Sequence, residues 1–99
     1  MTEVGPQRID KWLWHARFAR SRSGAQRLAI SGDLRVNREK VIASSRLVHR
    51  GDVLTIASDR GVRLVRILGF SERRVSPELA QAFYELITNG EPGDATGQP

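Results

Sequence analysis

RIDKWLWHARFARSRSGAQRLAISGDLRVN, residues 8–37, decides the fold. Ile9, Trp12, Leu13 and Ala16 recur at i, i+3, i+4 and i+7, which marks the buried face of a first helix beginning near Arg8. Trp14 and Phe18 form an i, i+4 pair on its far side and need a second packing partner there. Ala19 and Arg20 make the joint. Ser21 is placed to cap a second helix that runs to about Ser31, with Ala25, Leu28 and Ala29 inward and Gly32 ending it in a left-handed conformation. Past Gly32 the period falls to two, Leu34 and Val36 alternating with Arg35 and Asn37, as in a half-buried strand.

Outward from this stretch, Val41-Ile42, Val53 to Ile56 after the Gly51-Asp52 turn, and Val62 to Phe70 after a hairpin turn at Asp59-Arg60-Gly61 predict a small antiparallel sheet. Ser76 and Pro77 open a third helix reaching about Thr88, its apolar stripe being Leu79, Ala80, Phe83, Leu86 and Ile87 and its stop Asn89-Gly90. The expected class is α+β: two N-terminal helices on a small antiparallel sheet plus one C-terminal helix. Residues 1–7 read as a flexible lead, 8–56 as the binding domain, 57–90 as its extension and 91–99 as a disordered tail with nothing to bury.

The 99 residues suit one domain and exclude a multidomain enzyme. Lys plus Arg is 16 against 11 acidic residues, and only Lys11 and Lys40 are lysines. Residues 1–50 hold 11 cations and 4 anions, whereas 51–99 hold 5 and 7, so an anion-facing surface belongs to the first half. Cysteine is absent, which removes disulfides, thiolate nucleophiles and Cys-based zinc sites. No apolar run approaches the roughly 20 residues that cross a bilayer, and no basic start precedes an apolar run at the N-terminus; a soluble cytoplasmic protein without a membrane partner is expected.

The materials of catalysis are thin. His15 and His49 sit in no metal-binding spacing, His15 reading as a surface or hydrogen-bonded histidine and His49 as part of a turn leading into a strand. No phosphate loop, GxGxxG or GxSxG occurs, so neither an enzyme nor a cofactor or metal site is expected.

What remains is a cluster: Arg8, Asp10 and Lys11, then Arg17, Arg20-Ser21-Arg22, Gln26-Arg27, and Asn37-Arg38 with Lys40 across the strand turn. Guanidinium groups bond phosphate bidentately and stack on bases, so an arginine-rich surface suits nucleic acid. Ser21 marks a helix start, where free N–H groups and the dipole favour a phosphate. Asp10 reads either as a helix-start charge or as an internal partner of a nearby arginine. Beside the nucleic-acid reading stand a solvated basic face and a protein-interaction adaptor using that face with Trp14 or the third helix as anchor, and within it stands a duplex DNA binder. The last is disfavoured because neither helix offers an Asn or Gln row for base readout.

Four blocks, RIDKWL (8–13), SRSGAQRL (21–28), GDLRVN (32–37) and GDVL (51–54), together resemble the RNA-binding module first defined in small-subunit ribosomal protein S-four. The resemblance covers residues 8–56 and implies an αL motif, a helix hairpin on a twisted sheet that contacts structured RNA with the hairpin and the adjacent turn. The KWLW opening, together with a long strand and one helix after residue 56, resembles the stand-alone bacterial heat-shock protein fifteen family. That resemblance implies a ribosome-associated protein, here expected as a monomer. It would bind large-subunit ribosomal RNA on free subunits carrying a stalled nascent chain on tRNA. Two departures stand out. Val36-Asn37-Arg38 replaces the common V-N-G, so Asn37 supplies the positive φ and Arg38 a cation, and the tail is not basic.

Overall fold

The helical period at the N-terminus produces two short helices, α1 (Ile9–His15) and α2 (Arg22–Ala29). The computed structural model describes residues 5–58 and 61–90. In α1, Ile9, Trp12 and Leu13 are fully buried, and Ala16 follows them into the core just past the helix end. The helix stops one turn short of Phe18. The amide of Arg17 bonds the Trp14 carbonyl at 3.2 Å, that of Phe18 bonds the Leu13 carbonyl at 2.9 Å, and Arg17 takes a left-handed φ of 72°. This pairing is a Schellman stop with arginine in the place glycine usually holds. It corrects the expected Trp14–Phe18 pair: Phe18 folds back to stack on Trp12 at 5.7 Å and meets Tyr84 at 4.8 Å, while Trp14 finds its partner in the Arg74 guanidinium, 5.6 Å from its ring centroid. The second helix starts as read, Ser21 Oγ accepting from the Gly24 amide at 3.0 Å, and Gly32 has the left-handed φ of 96°.

Seven strands form among the described residues. β1 (Gln7–Arg8) pairs antiparallel with β4 (Leu47–Val48). Gln7, expected in the flexible lead, is therefore a buried strand residue whose side-chain amide donates to the Ser71 carbonyl at 2.6 Å. The main sheet runs β3-β2-β5-β6-β7, all antiparallel, with β2 at Leu34–Val36, β3 at Glu39–Lys40, β5 at Val53–Ser58, β6 at Gly61–Ile67 and β7 at Tyr84–Gly90. Its register sets Leu34 beside Ile56 and Val36 beside Leu54, with Leu54 beside Val65. These residues are all buried against the two helices. The opposite face carries Arg35, Val53, Thr55, Leu64 and Arg66, all at least partly exposed among the described residues. Val41 is buried but lies just past β3, and Ile42 is exposed.

The C-terminal helix is far shorter than its apolar stripe suggests. Ser76 caps it and Pro77 opens it, but α3 spans only Pro77–Ala80, after which come a 3-10 turn at Gln81–Phe83 and then β7. Two forces favour the strand. Tyr84 to Thr88 is rich in aromatic and β-branched residues, and β6 would otherwise present an unpaired edge of N–H and C=O groups. As a result Leu79, Leu86 and Ile87, expected inside, are exposed, and Ala80, Phe83 and Tyr84 do the inward packing. The Asp59-Arg60 turn, the first four residues and the tail 91–99 lie outside the described residues.

Tyr84→Ala should cost about 2–3 kcal/mol in urea unfolding, because it removes a ring from the Trp12–Phe18 cluster. Leu86→Thr should stay within about 0.5 kcal/mol of the parent, as for an exposed strand residue. A cost of several kcal/mol at Leu86 would mean the helical stripe forms after all.

Candidate nucleic-acid interface

The helix hairpin is organised around one carboxylate. Asp10, in the first turn of α1, is fully buried. Arg8 reaches it through Nε at 3.1 Å and Nη2 at 2.9 Å, Arg22 through Nη2 at 3.5 Å and Gln26 through Nε2 at 3.4 Å. Arg22 and Gln26 stand one turn apart on α2, so the carboxylate ties the two helices together. Burial by itself raises the Asp10 carboxyl. The hydrogen bond from Arg8, the charge of Arg22 and the hydrogen bond from Gln26 outweigh it and hold the group below its ordinary 3.8. Both arginines remain partly in solvent, their side chains 45% and 38% exposed, so each keeps surface to offer.

A second fastening was invisible in the local pattern. Arg74 donates through Nε to the Trp14 carbonyl at 3.1 Å and through Nη2 to the Ala19 carbonyl at 3.0 Å. Arg17 Nε donates to the Val75 carbonyl at 2.8 Å. The segment between β6 and α3 thus clamps the joint of the helix hairpin. His15 joins the same seam. It is buried with Nδ1 2.9 Å from the Ser71 carbonyl, which fits a neutral ring protonated on Nδ1. Burial lowers its pKa first, the Ser71 hydrogen bond opposes, and Lys11, Arg22 and Arg74 push it lower still. The only sequence trace of this clamp is the Arg73-Arg74 doublet in the otherwise acidic second half.

The remaining expected site residues divide by what they touch. Lys11 is half-buried on α1, and Arg20 is exposed at the joint. Arg27 folds back toward the start of α2, its Nη2 and Ser21 Oγ both beside Gly24. Lys40 passes over Gly32 at the far end of α2. Among the described residues none of these four cations bonds a carboxylate. Asn37 holds its turn, donating to Asp52 Oδ1 and accepting from the Val53 amide, both at 3.0 Å. Arg38 shares the turn, and its carbonyl accepts from Arg35 Nη1 at 3.4 Å. No group of three His, Asp or Glu side chains among the described residues could hold a metal ion. No helix there is long and apolar enough to cross a membrane.

A capped helix hairpin set on a sheet, with further cations on the adjoining strand turn, defines the class of S4-domain proteins, and the S4 domain matches residues 7–54. Over 78 residues, 79% of the chain, the protein is 37% identical to the heat shock protein 15 homolog of Aeromonas salmonicida and 31% identical to heat shock protein 15 of Escherichia coli strain K12. The matched region spans 58% of the length of these curated relatives. The solved structure of Vibrio cholerae heat shock protein 15, described as trimeric, superposes with a TM-score of 0.74 at 30% identity, covering 86% of this chain and 82% of that one. The chain belongs to the heat shock protein 15 family.

Asp10→Asn should cost about 2–3 kcal/mol at neutral pH, the scale of hydrogen bonds to a charged group. Because the folded carboxyl lies below 3.8, its contribution is complete above that value and fades as pH falls through the lower folded value. Chemical denaturation should therefore show parent and variant converging in acid. His15 has the same sign: its depressed value makes its contribution complete above 6.5 and lost as pH falls. His15→Gln should flatten that part of the stability profile.

Proposed function

We propose that this protein is a non-catalytic RNA-binding protein that takes structured ribosomal RNA of the large subunit. On this reading it acts in stress on free large subunits carrying a stalled nascent chain on tRNA and helps to recycle them. The observation that carries the reading is the placement of exposed cations around the capped start of α2, inside the segment that matches the S4 domain. The first backbone N–H groups of α2 have no intrahelical acceptor, and the helix dipole adds positive potential there, so a phosphate is favoured between Arg20 and Arg27. Arg8 and Arg22 add charge from the Asp10 cluster, and Lys40 and Arg38 continue the track along β3. Family membership supports the heat-shock context, and a ribosomal partner places the protein in the cytoplasm. We take the single chain as the binding unit.

With about five to seven phosphates engaged, log affinity for a large-subunit RNA fragment should fall with log salt at a slope of roughly −3.5 to −5, near −0.7 per contact. Arg20→Ala combined with Arg27→Ala should flatten that slope by about one to two units with the urea midpoint unmoved, since neither side chain holds the fold together. A slope that stays the same removes the hairpin from the interface. Co-sedimentation with large subunits that survives complete RNA digestion would identify a protein adaptor instead.

A further inference from the structure

The turn between β2 and β3 is built at a steric disadvantage. Asn37 has a φ of 50° and Arg38 a φ of 80°, the two left-handed positions of a two-residue hairpin loop, the second of which glycine normally fills. Asparagine tolerates such a backbone, but a long L side chain does not adopt it readily. An arginine at this strained position points to work done by its side chain rather than by the turn.

Arg38 lines a shallow cavity of about 410 Å³ on the face of the sheet opposite the helices, together with Asn37, Val53, Thr55 and Leu64. The floor is apolar: Val53 and Thr55 lie two apart on β5, and Leu64 stands opposite Thr55 on β6. Among the described residues no carboxylate lines the cavity. The Asn37 side-chain amide is locked by Asp52 and Val53. The Arg38 guanidinium and the Thr55 hydroxyl bond no other described residue, so two lining residues keep a cation and a hydroxyl to offer. A flat ring packed on apolar side chains, with a guanidinium on the neighbouring phosphate, is the chemistry that suits an unstacked nucleotide. Lys40, over the end of α2, and Arg38, at the far end of the same hairpin, lead from the helices to this opening.

We propose that the outer face of the sheet is a nucleotide-binding site. It seats one unstacked base of the bound RNA against Val53 and Leu64, with Arg38 on the adjoining phosphate. The proposal rests on the RNA-binding reading and adds to it a contact on the side of the sheet opposite the helices.

Two measurements on the full chain test it. In methyl-detected NMR, adenosine 5′-monophosphate should shift the methyl signals of Val53, Thr55 and Leu64, whereas inorganic phosphate should not. Both the shifts and the response should vanish in Arg38→Gly. That variant should also melt at a higher temperature, because glycine relieves the turn, yet bind a large-subunit RNA fragment about five- to tenfold more weakly. Opposite signs for folding and binding exclude a folding defect. Leu64→Glu should weaken binding by a similar factor. If the RNA fragment binds the parent but the three methyl signals stay still with the nucleotide, the cavity is empty of bases and the proposal fails while the RNA reading stands. If Arg38→Gly lowers only the salt slope and Leu64→Glu binds as the parent does, Arg38 is a phosphate contact and the cavity takes nothing. If no RNA fragment binds the parent, both readings fall.

Discussion

A carboxylate taken wholly out of water must be compensated, and Asp10 is compensated by residues on both helices. Its oxygens accept from Arg8 at the start of α1 and from Arg22 and Gln26 on α2. Removing any donor leaves part of a buried charge unpaired, so the approach and rotation of the two helices are restricted to those that keep all three in reach. The consequence is functional as well as structural. The same packing that fixes the hairpin fixes where Arg8, Arg22 and the free Arg20 and Arg27 meet solvent.

The rest of the chain supports that geometry from behind. The sheet supplies an apolar floor through Leu34, Val36, Leu54, Ile56 and Val65, and Trp12 ties α1 to the segment just past β6 by donating to the Gly69 carbonyl at 3.0 Å. Arg74 and Arg17 fasten the hairpin joint to the segment after β6, which links the C-terminal part of the chain to the cationic end. The extension beyond the S4-matching segment is thus a brace for the hairpin and also completes the sheet through β7.

Local chemistry made much of this legible. Period 3.6 at Ile9, Trp12, Leu13 and Ala16, the Ser21 cap and the change to period 2 at Leu34 each depend on a few adjacent residues, and each appears where it was read. The misreadings involve partners far away in sequence. Leu79, Ala80, Phe83, Leu86 and Ile87 fit a helical stripe, but the open edge of β6 recruits Tyr84 onward into a strand. Arg17 lacks any local mark of a left-handed position, and its Schellman stop turns Phe18 toward Tyr84, 66 positions on. The site shows the same division. Cation order along residues 8–40 pointed to an anion-binding face, but the pattern of charges alone left open whether Asp10 joined that face or held it from inside. The helices converging on it decide for the inside.

The pKa of the Asp10 carboxyl in the folded protein, followed by carbon-13 NMR of the side chain, tests this hub most directly. A value below 3.8 is expected, since the donors of two helices must outweigh the effect of burial. A value above it would mean that burial prevails, that the arginines are not committed to this carboxylate, and that the hairpin is held by packing alone.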